Sequence, residues 1–258
     1  MKPDLFSIGS FTVHGYGLMI GIGFIIALLI GEMRAEKNGL SKDAVFDMAV
    51  LVGIGGFIGA KVLYIIVEFK DFIKAPAQYF SSSGFVVYGG IITGVLIALV
   101  YCHIKKLKFM EYFDIILPEL AIAQGFGRIG CFLAGCCYGR ETDSALGVVF
   151  PEGGLAPAGV KLIPTQIISA AGDFAIATVL IMFAASLKRT KKGKTGDVGC
   201  LYLILYGIGR FIIEFFRNDY RGEVGVLSTS QFISIFIVAA GIIVYVVNHR
   251  KSRVKTDD

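Results

Sequence analysis

Charge is what this sequence has least of. Asp, Glu, Lys and Arg make up 17% of its 258 residues and hydrophobic types 55%, against roughly 25% and 45–50% in an ordinary soluble domain. A water-soluble globule is excluded and an integral membrane protein is indicated. Proline is scarce as well, at 6 residues, while glycine reaches 33. That balance suits helices packed closely through small residues and argues against a barrel of alternating strands. No internal repeat is visible, which weakens the case for a transporter built from two matching halves. No small-x-small cleavage site follows Lys2, so the first apolar run is read as a membrane span and not as a signal peptide. The net charge of +5 comes mostly from residues flanking apolar segments, where the positive-inside bias and anionic lipid account for it. No nucleic-acid partner is expected.

Seven apolar runs of roughly membrane length lie at 16–30, 44–67, 85–103, 113–135, 164–187, 199–216 and 231–248. The expected fold is an all-α, polytopic membrane protein with seven transmembrane helices forming one membrane domain over residues 1–258. The linkers at 31–43, 104–112 and 188–198 and the tail after Asn248 hold 15 Lys and Arg residues; the alternate set of segments holds 7. The basic side is cytoplasmic by the positive-inside rule, which puts the N-terminus outside and the C-terminus inside. The longest linker, 136–163, carries Pro151, Gly153, Gly154 and Pro157. These residues forbid a long helix and suggest a structured outer cap. The tail from Arg250 to Asp258 reads as a solvated cytoplasmic end.

Within this hydrocarbon, polar residues stand out. Arg128 lies in the fourth run, where a guanidinium costs about 2.5–3.5 kcal/mol even on lenient insertion scales, so an anion site is the default hypothesis. Gly125, Gly127 and Gly130 match the letter of a dinucleotide fingerprint, but no strand precedes them. In the sixth run Tyr206, Arg210 and Glu214 are spaced i, i+4, i+8 and share a helix face. Arg210 and Glu214 could simply neutralise each other. Alternatively, Arg210 joins Arg128 to clamp a phosphate while Glu214 orients it, since the planar fork suits two non-bridging oxygens. Lys61, Gln124, Gln166 and Asp173 read first as contacts between helices or as snorkelling residues. His14 is either an interfacial residue or a wall of the site; His103 is interfacial.

Five cysteines are present. Cys102 and Cys200 read as small apolar residues. Cys131, Cys136 and Cys137 cluster at the outer end of the fourth span, where inert packing, a redox-active or bridged pair, a nucleophilic thiolate and a metal site all remain open. C-x4-C-C is not a standard zinc pattern and no nearby histidine completes it, so no metal or other cofactor is expected.

At several points the chain resembles the bacterial prolipoprotein diacylglyceryl transferase family. The carriers of the likeness are FSIGSFTVHGYGLM near the N-terminus, YGGIITG at Tyr88–Gly94, GRIGCFLAGCCYG at Gly127–Gly139 and YGIGRFIIEFFR at Tyr206–Arg217. The resemblance implies transfer of the diacylglyceryl group of phosphatidylglycerol to the lipobox cysteine thiol of a prolipoprotein, with release of glycerol phosphate. The expected partners are therefore phosphatidylglycerol, a prolipoprotein signal peptide and membrane lipids, and the expected location is the cytoplasmic membrane of a bacterial cell with the site toward its outer face. Residue by residue, Tyr16, Arg128, Gly139, Tyr206, Arg210 and Glu214 match the family's motifs, which implies that they bind lipid or support transfer. Taken with the other residues read above, the catalytic candidates are Arg128, Arg210, Tyr88 and Glu214, and the substrate-binding ones Tyr16, His14, Tyr206, Gly139, Cys131 and Gln166.

The chain departs from the family pattern at Tyr88, where a histidine is usual, at Cys131, where an asparagine is usual, and at Cys136, where an acid is usual. IPTQIIS keeps Pro164 and Gln166 without the flanking histidine, tyrosine and acid. A phenol with pKa near 10 is a poorer base at neutral pH than imidazole, although a cysteine acceptor with pKa near 8.5 has less need of one. These departures leave two rival expectations. One is a paralogue with the same phospholipid site but a different acceptor or cysteine-based chemistry; the other is a non-enzymatic binder or transporter of anionic lipid.

Overall fold

The computed structural model describes residues 4–8, 11–80, 84–152, 155–191, 193–218 and 222–254. The expectations for Lys2, for Gly153 and Gly154 and for the last four residues of the tail lie outside them. In chain order the elements are β1 (Asp4–Ile8), β2 (Phe11–His14), α1 (Gly15–Lys37), α2 (Lys42–Val67), the one-turn helices α3 (Phe69–Phe72) and α4 (Pro76–Tyr79), α5 (Val87–Ile104) and α6 (Phe109–Ala134). Then come β3 (Val148–Val149), β4 (Lys161–Leu162), α7 (Thr165–Thr190), α8 (Asp197–Glu214), β5 (Glu223–Val224), β6 (Leu227–Ser228) and α9 (Thr229–Val254). Among the described residues the strands form three two-stranded antiparallel pairs, and the remaining elements are helices.

Among the described residues, six helices are long and apolar enough to cross a membrane: α1, α2, α5, α6, α7 and α9. The sixth predicted run is also a helix, α8, but it is only 18 residues long and Asp197, Arg210 and Glu214 all fall within that length, so it lies outside the six. The apolar side chains that soluble proteins would hide face outward here, as at Phe57 (64% exposed) and Ile66 (60%).

The chain divides into two compact units. In the unit Gly31–Tyr112, Ser41 caps α2 by accepting from the Ala44 N–H at 3.2 Å. The helices α2 and α5 then pack backbone to backbone through glycine. A Cβ on Gly90 would stand 2.8 Å from the Gly56 carbonyl oxygen, and one on Gly59 would stand 2.8 Å from that of Gly89. This is the small-residue contact the glycine-rich composition suggests. Cys102 lies against Met48, sulfur to sulfur at 3.8 Å, as a packing residue, while Lys61 reaches the Gly84 carbonyl at 3.3 Å and the Phe85 ring at 4.8 Å.

The other unit, Met1–Ile30 with Phe113–Asp258, is built on α6, α7 and α8, whose core holds Leu117, Ala121, Ala177, Leu180, Val198 and Tyr202. Asp114 of α6 fixes the start of α8 by accepting from the N–H groups of Gly196 (2.6 Å) and Gly199 (2.8 Å). Those are donors that a helix N-terminus leaves without intrahelical partners. The segment 136–163 has a small core of its own, Phe150, Ala156 and Leu162, set against Phe132 near the end of α6.

Candidate active site

The site grows from the last turns of α6. The glycines that mimic a nucleotide fingerprint turn out to govern helix approach. A Cβ on Gly125 would meet the Phe174 ring at 2.7 Å, and one on Gly130 would meet the Tyr16 carbonyl oxygen at 3.1 Å, whereas Gly127 has nothing within 4 Å. So α7 and α1 both lie close to α6 around Arg128. The helix then stops at Gly135, whose φ of 70° is left-handed, and Cys137 follows with φ 61°, a region costly for a side chain other than Gly or Asn.

The loop that follows is tied down from two sides. Gln166 Nε2 donates to the Cys136 carbonyl at 2.7 Å and Thr165 Oγ1 to that of Cys137 at 2.8 Å. The Gly139 N–H donates to Ile163 O (3.0 Å) and the Arg140 N–H to Phe216 O (2.9 Å). A Cβ on Gly139 would lie 2.7 Å from both the Ile163 and Phe216 oxygens. This glycine is therefore required by the close approach of two backbones.

Between α6, α7 and α8 lies a cavity of about 310 Å³ whose polar wall is Arg128, Ser169, Asp173, Tyr206 and Arg210 and whose remainder is largely Ile and Phe. Arg210 Nη2 donates to Ser230 Oγ at 2.7 Å. Its Nη1 stands 2.7 Å from Glu214 Oε2 without the alignment of a hydrogen bond, so that contact is chiefly electrostatic. Glu214 Oε2 is also 4.0 Å from Arg217 Nε. The Tyr206 ring stacks on Tyr202 with centroids 5.5 Å apart, and Tyr202 donates to Gln124 Oε1 at 2.9 Å. On the other side of Glu214, a second cavity of about 400 Å³ is lined by Arg140, Arg217 and Glu223 among others.

Of the residues singled out in the sequence, Arg128, Tyr206 and Arg210 share the first cavity, and Glu214 stands behind Arg210. The internal Arg210–Glu214 pair exists, and Arg210 also lines the cavity together with Arg128. Tyr16, at the start of α1 and 44% exposed, lies beside Gly130. Gly139 and Gln166 hold the loop. His14 is exposed at the end of β2, and Tyr88 is half-buried in the first turn of α5, in the other unit. Cys131 is buried with its sulfur near those of Cys136 and Cys137. The Cys131 and Cys136 thiols donate to the Cys137 sulfur, and Arg217 adds a hydrogen bond and its charge; together they hold Cys137 well below the usual thiol range.

Sequence reasoning gave too little weight to Asp173, which is 7% exposed and lines the cavity between the two arginines. It also passed over Arg217, which looked like flanking charge. The signal for Arg217 was its i, i+3 spacing from Glu214.

The class defined here is a polytopic, mainly helical membrane protein with an apolar cavity carrying two arginines. The sequence model for the family described as prolipoprotein diacylglyceryl transferase matches residues 3–247, and the chain belongs to that family. It is 47% identical over 261 residues, covering all of both chains, to phosphatidylglycerol–prolipoprotein diacylglyceryl transferase 2 of Clostridium perfringens. The phosphatidylglycerol–prolipoprotein diacylglyceryl transferase of Clostridium tetani is 45% identical, with 95% of this chain and 97% of that one covered.

Proposed function

We propose that this chain transfers the diacylglyceryl group of phosphatidylglycerol to a cysteine thiol of a prolipoprotein. The observation that carries the reading is the pairing of Arg128 with Arg210 in one largely apolar cavity, in a chain whose relatives are named for this reaction. The acceptor sulfur attacks the glycerol carbon that bears the phosphate ester; a carbon–sulfur bond forms, the carbon–oxygen bond breaks, and glycerol phosphate leaves with the electron pair. The thiol proton passes to a base or to the departing phosphate.

Arg128 and Arg210 hold the phosphate oxygens and stabilise charge as it develops there, in surroundings where few waters compete. Glu214 and Ser230 fix the Arg210 fork. Tyr206 borders the lipid, and Tyr88 remains the candidate that the family motif marks in place of a histidine. Tyr16, His14, Gly139, Cys131 and Gln166 belong to the substrate-binding surroundings, with Gly139 and Gln166 acting by holding the loop.

The same reading has α8 as the seventh span, the N-terminus outside and the C-terminus cytoplasmic. Segment 136–163 then caps the outer face of a bacterial cytoplasmic membrane, where a signal peptide would present its lipobox cysteine. The excess of Lys and Arg in alternate linkers supports that orientation. The test uses purified protein, phosphatidylglycerol and a lipobox peptide. Release of glycerol phosphate with a peptide mass gain of one diacylglyceryl group supports the reading; lipid binding without either product overturns it.

A further inference from the structure

Three sulfurs converge where α6 ends. The Sγ atoms of Cys131, Cys136 and Cys137 all lie within 4.8 Å of one another. A trigonal ion with metal–sulfur bonds of about 2.3 Å separates its ligands by about 4 Å, so the three are already close to the spacing such an ion needs. Their backbone is prepared for it. Gly135 and Cys137 turn the chain back with positive φ, and Gln166 and Thr165 hold the carbonyls of Cys136 and Cys137. Cys131 is 9% exposed. Two arginines answer the charge of a thiolate cluster. Arg217, itself 6% exposed, hydrogen-bonds the Cys137 sulfur, and Arg128 lies within electrostatic range of Cys131.

Among the described residues, no histidine or carboxylate joins the set. Zinc favours four ligands in a tetrahedron, whereas three soft sulfurs alone suit copper(I). We propose that Cys131, Cys136 and Cys137 form a three-thiolate site for a thiophilic monovalent ion, copper(I), which ties the end of α6 to the loop at 136–140. Binding forms three metal–sulfur bonds, releases thiol protons to solvent and changes no oxidation state. The three sulfur ligands are not among the residues lining the phospholipid cavity, although Arg128 lies in reach of both, and the inference stands whether or not the chain proves to be a transferase.

The experiment is an anaerobic titration of the reduced, full-length protein in detergent with copper(I) against bicinchoninate, followed by X-ray absorption at the copper edge. The expected result is one copper(I) per chain with three sulfur neighbours. Cys136→Ser and Cys137→Ser should each weaken binding by about 10-fold or more, and Arg217→Gln, which removes a partner of one ligand, by about 10-fold. Cys102→Ala and Cys200→Ala should bind as the wild type does. Failure to compete with bicinchoninate, a two-sulfur spectrum, preference for zinc(II) over copper(I), or unchanged affinity in the triple serine variant would each overturn the proposal. The wild-type spectrum decides the matter even if a serine variant fails to fold.

Discussion

The Glu214 carboxylate lies one helical turn from Arg210, 2.7 Å from its Nη1 and 4.0 Å from Arg217 Nε, so a single acid answers two arginines. Its side chain and that of Arg210 are 7% and 11% exposed, and removing one member of a buried pair leaves the other charge uncompensated, typically at about 3–5 kcal/mol. Glu214→Gln should therefore lower the thermal midpoint and the turnover together. A variant that melts and turns over like the wild type would show that neither arginine depends on this acid.

Two glycines of the same signature should behave in opposite ways. Alanine at Gly139 would press on two carbonyl oxygens at 2.7 Å, and overpacking of this kind costs about 1–3 kcal/mol. Alanine at Gly127 meets nothing within 4 Å and gains up to about 1 kcal/mol of helix propensity. Thermal unfolding of the two variants in detergent should order them Gly127→Ala, wild type, Gly139→Ala. The reverse order would mean that the loop is not clamped as described.

Tyr88 stands where the family usually has a histidine, and a protonated phenol is a poor base at neutral pH. If it accepts the thiol proton, Tyr88→Phe should lower kcat by about 100-fold or more, while Tyr88→His should restore or exceed wild-type turnover near pH 7. Unchanged kcat in Tyr88→Phe would remove the residue from the reaction and leave the proton to the leaving phosphate.

The fold was legible where the apolar runs are long. All seven predicted runs are helices, and for the six long and apolar enough to cross a membrane the reason is that hydrocarbon leaves the backbone few other ways to satisfy its polar groups. The bounds were less legible: α1 continues to Lys37, past the apolar run that ends at residue 30, since Arg34 and Lys37 in its last turn are compatible with helix but not with an apolar run. The short α3 and α4 were missed because one-turn helices have no periodicity to read.

At the site, the i, i+4, i+8 spacing of Tyr206, Arg210 and Glu214 revealed a shared face. The meeting of Arg128 and Arg210 could only be inferred, because it depends on how α6 and α8 pack. The convergence of Cys131 with Cys136 and Cys137 was legible only as proximity in sequence. It depends on two left-handed residues and on Gln166 and Thr165, which looked like the start of the next span and not like a clamp on the previous one.

The most direct test of the central claim is the turnover of Arg128→Lys with phosphatidylglycerol and a lipobox peptide, read beside its lipid binding. Lysine keeps the charge but not the planar fork that grips two phosphate oxygens. The account predicts that lipid still binds while turnover falls by about 100-fold, the scale for losing one preorganised donor to a developing anion. Wild-type turnover in Arg128→Lys would contradict it.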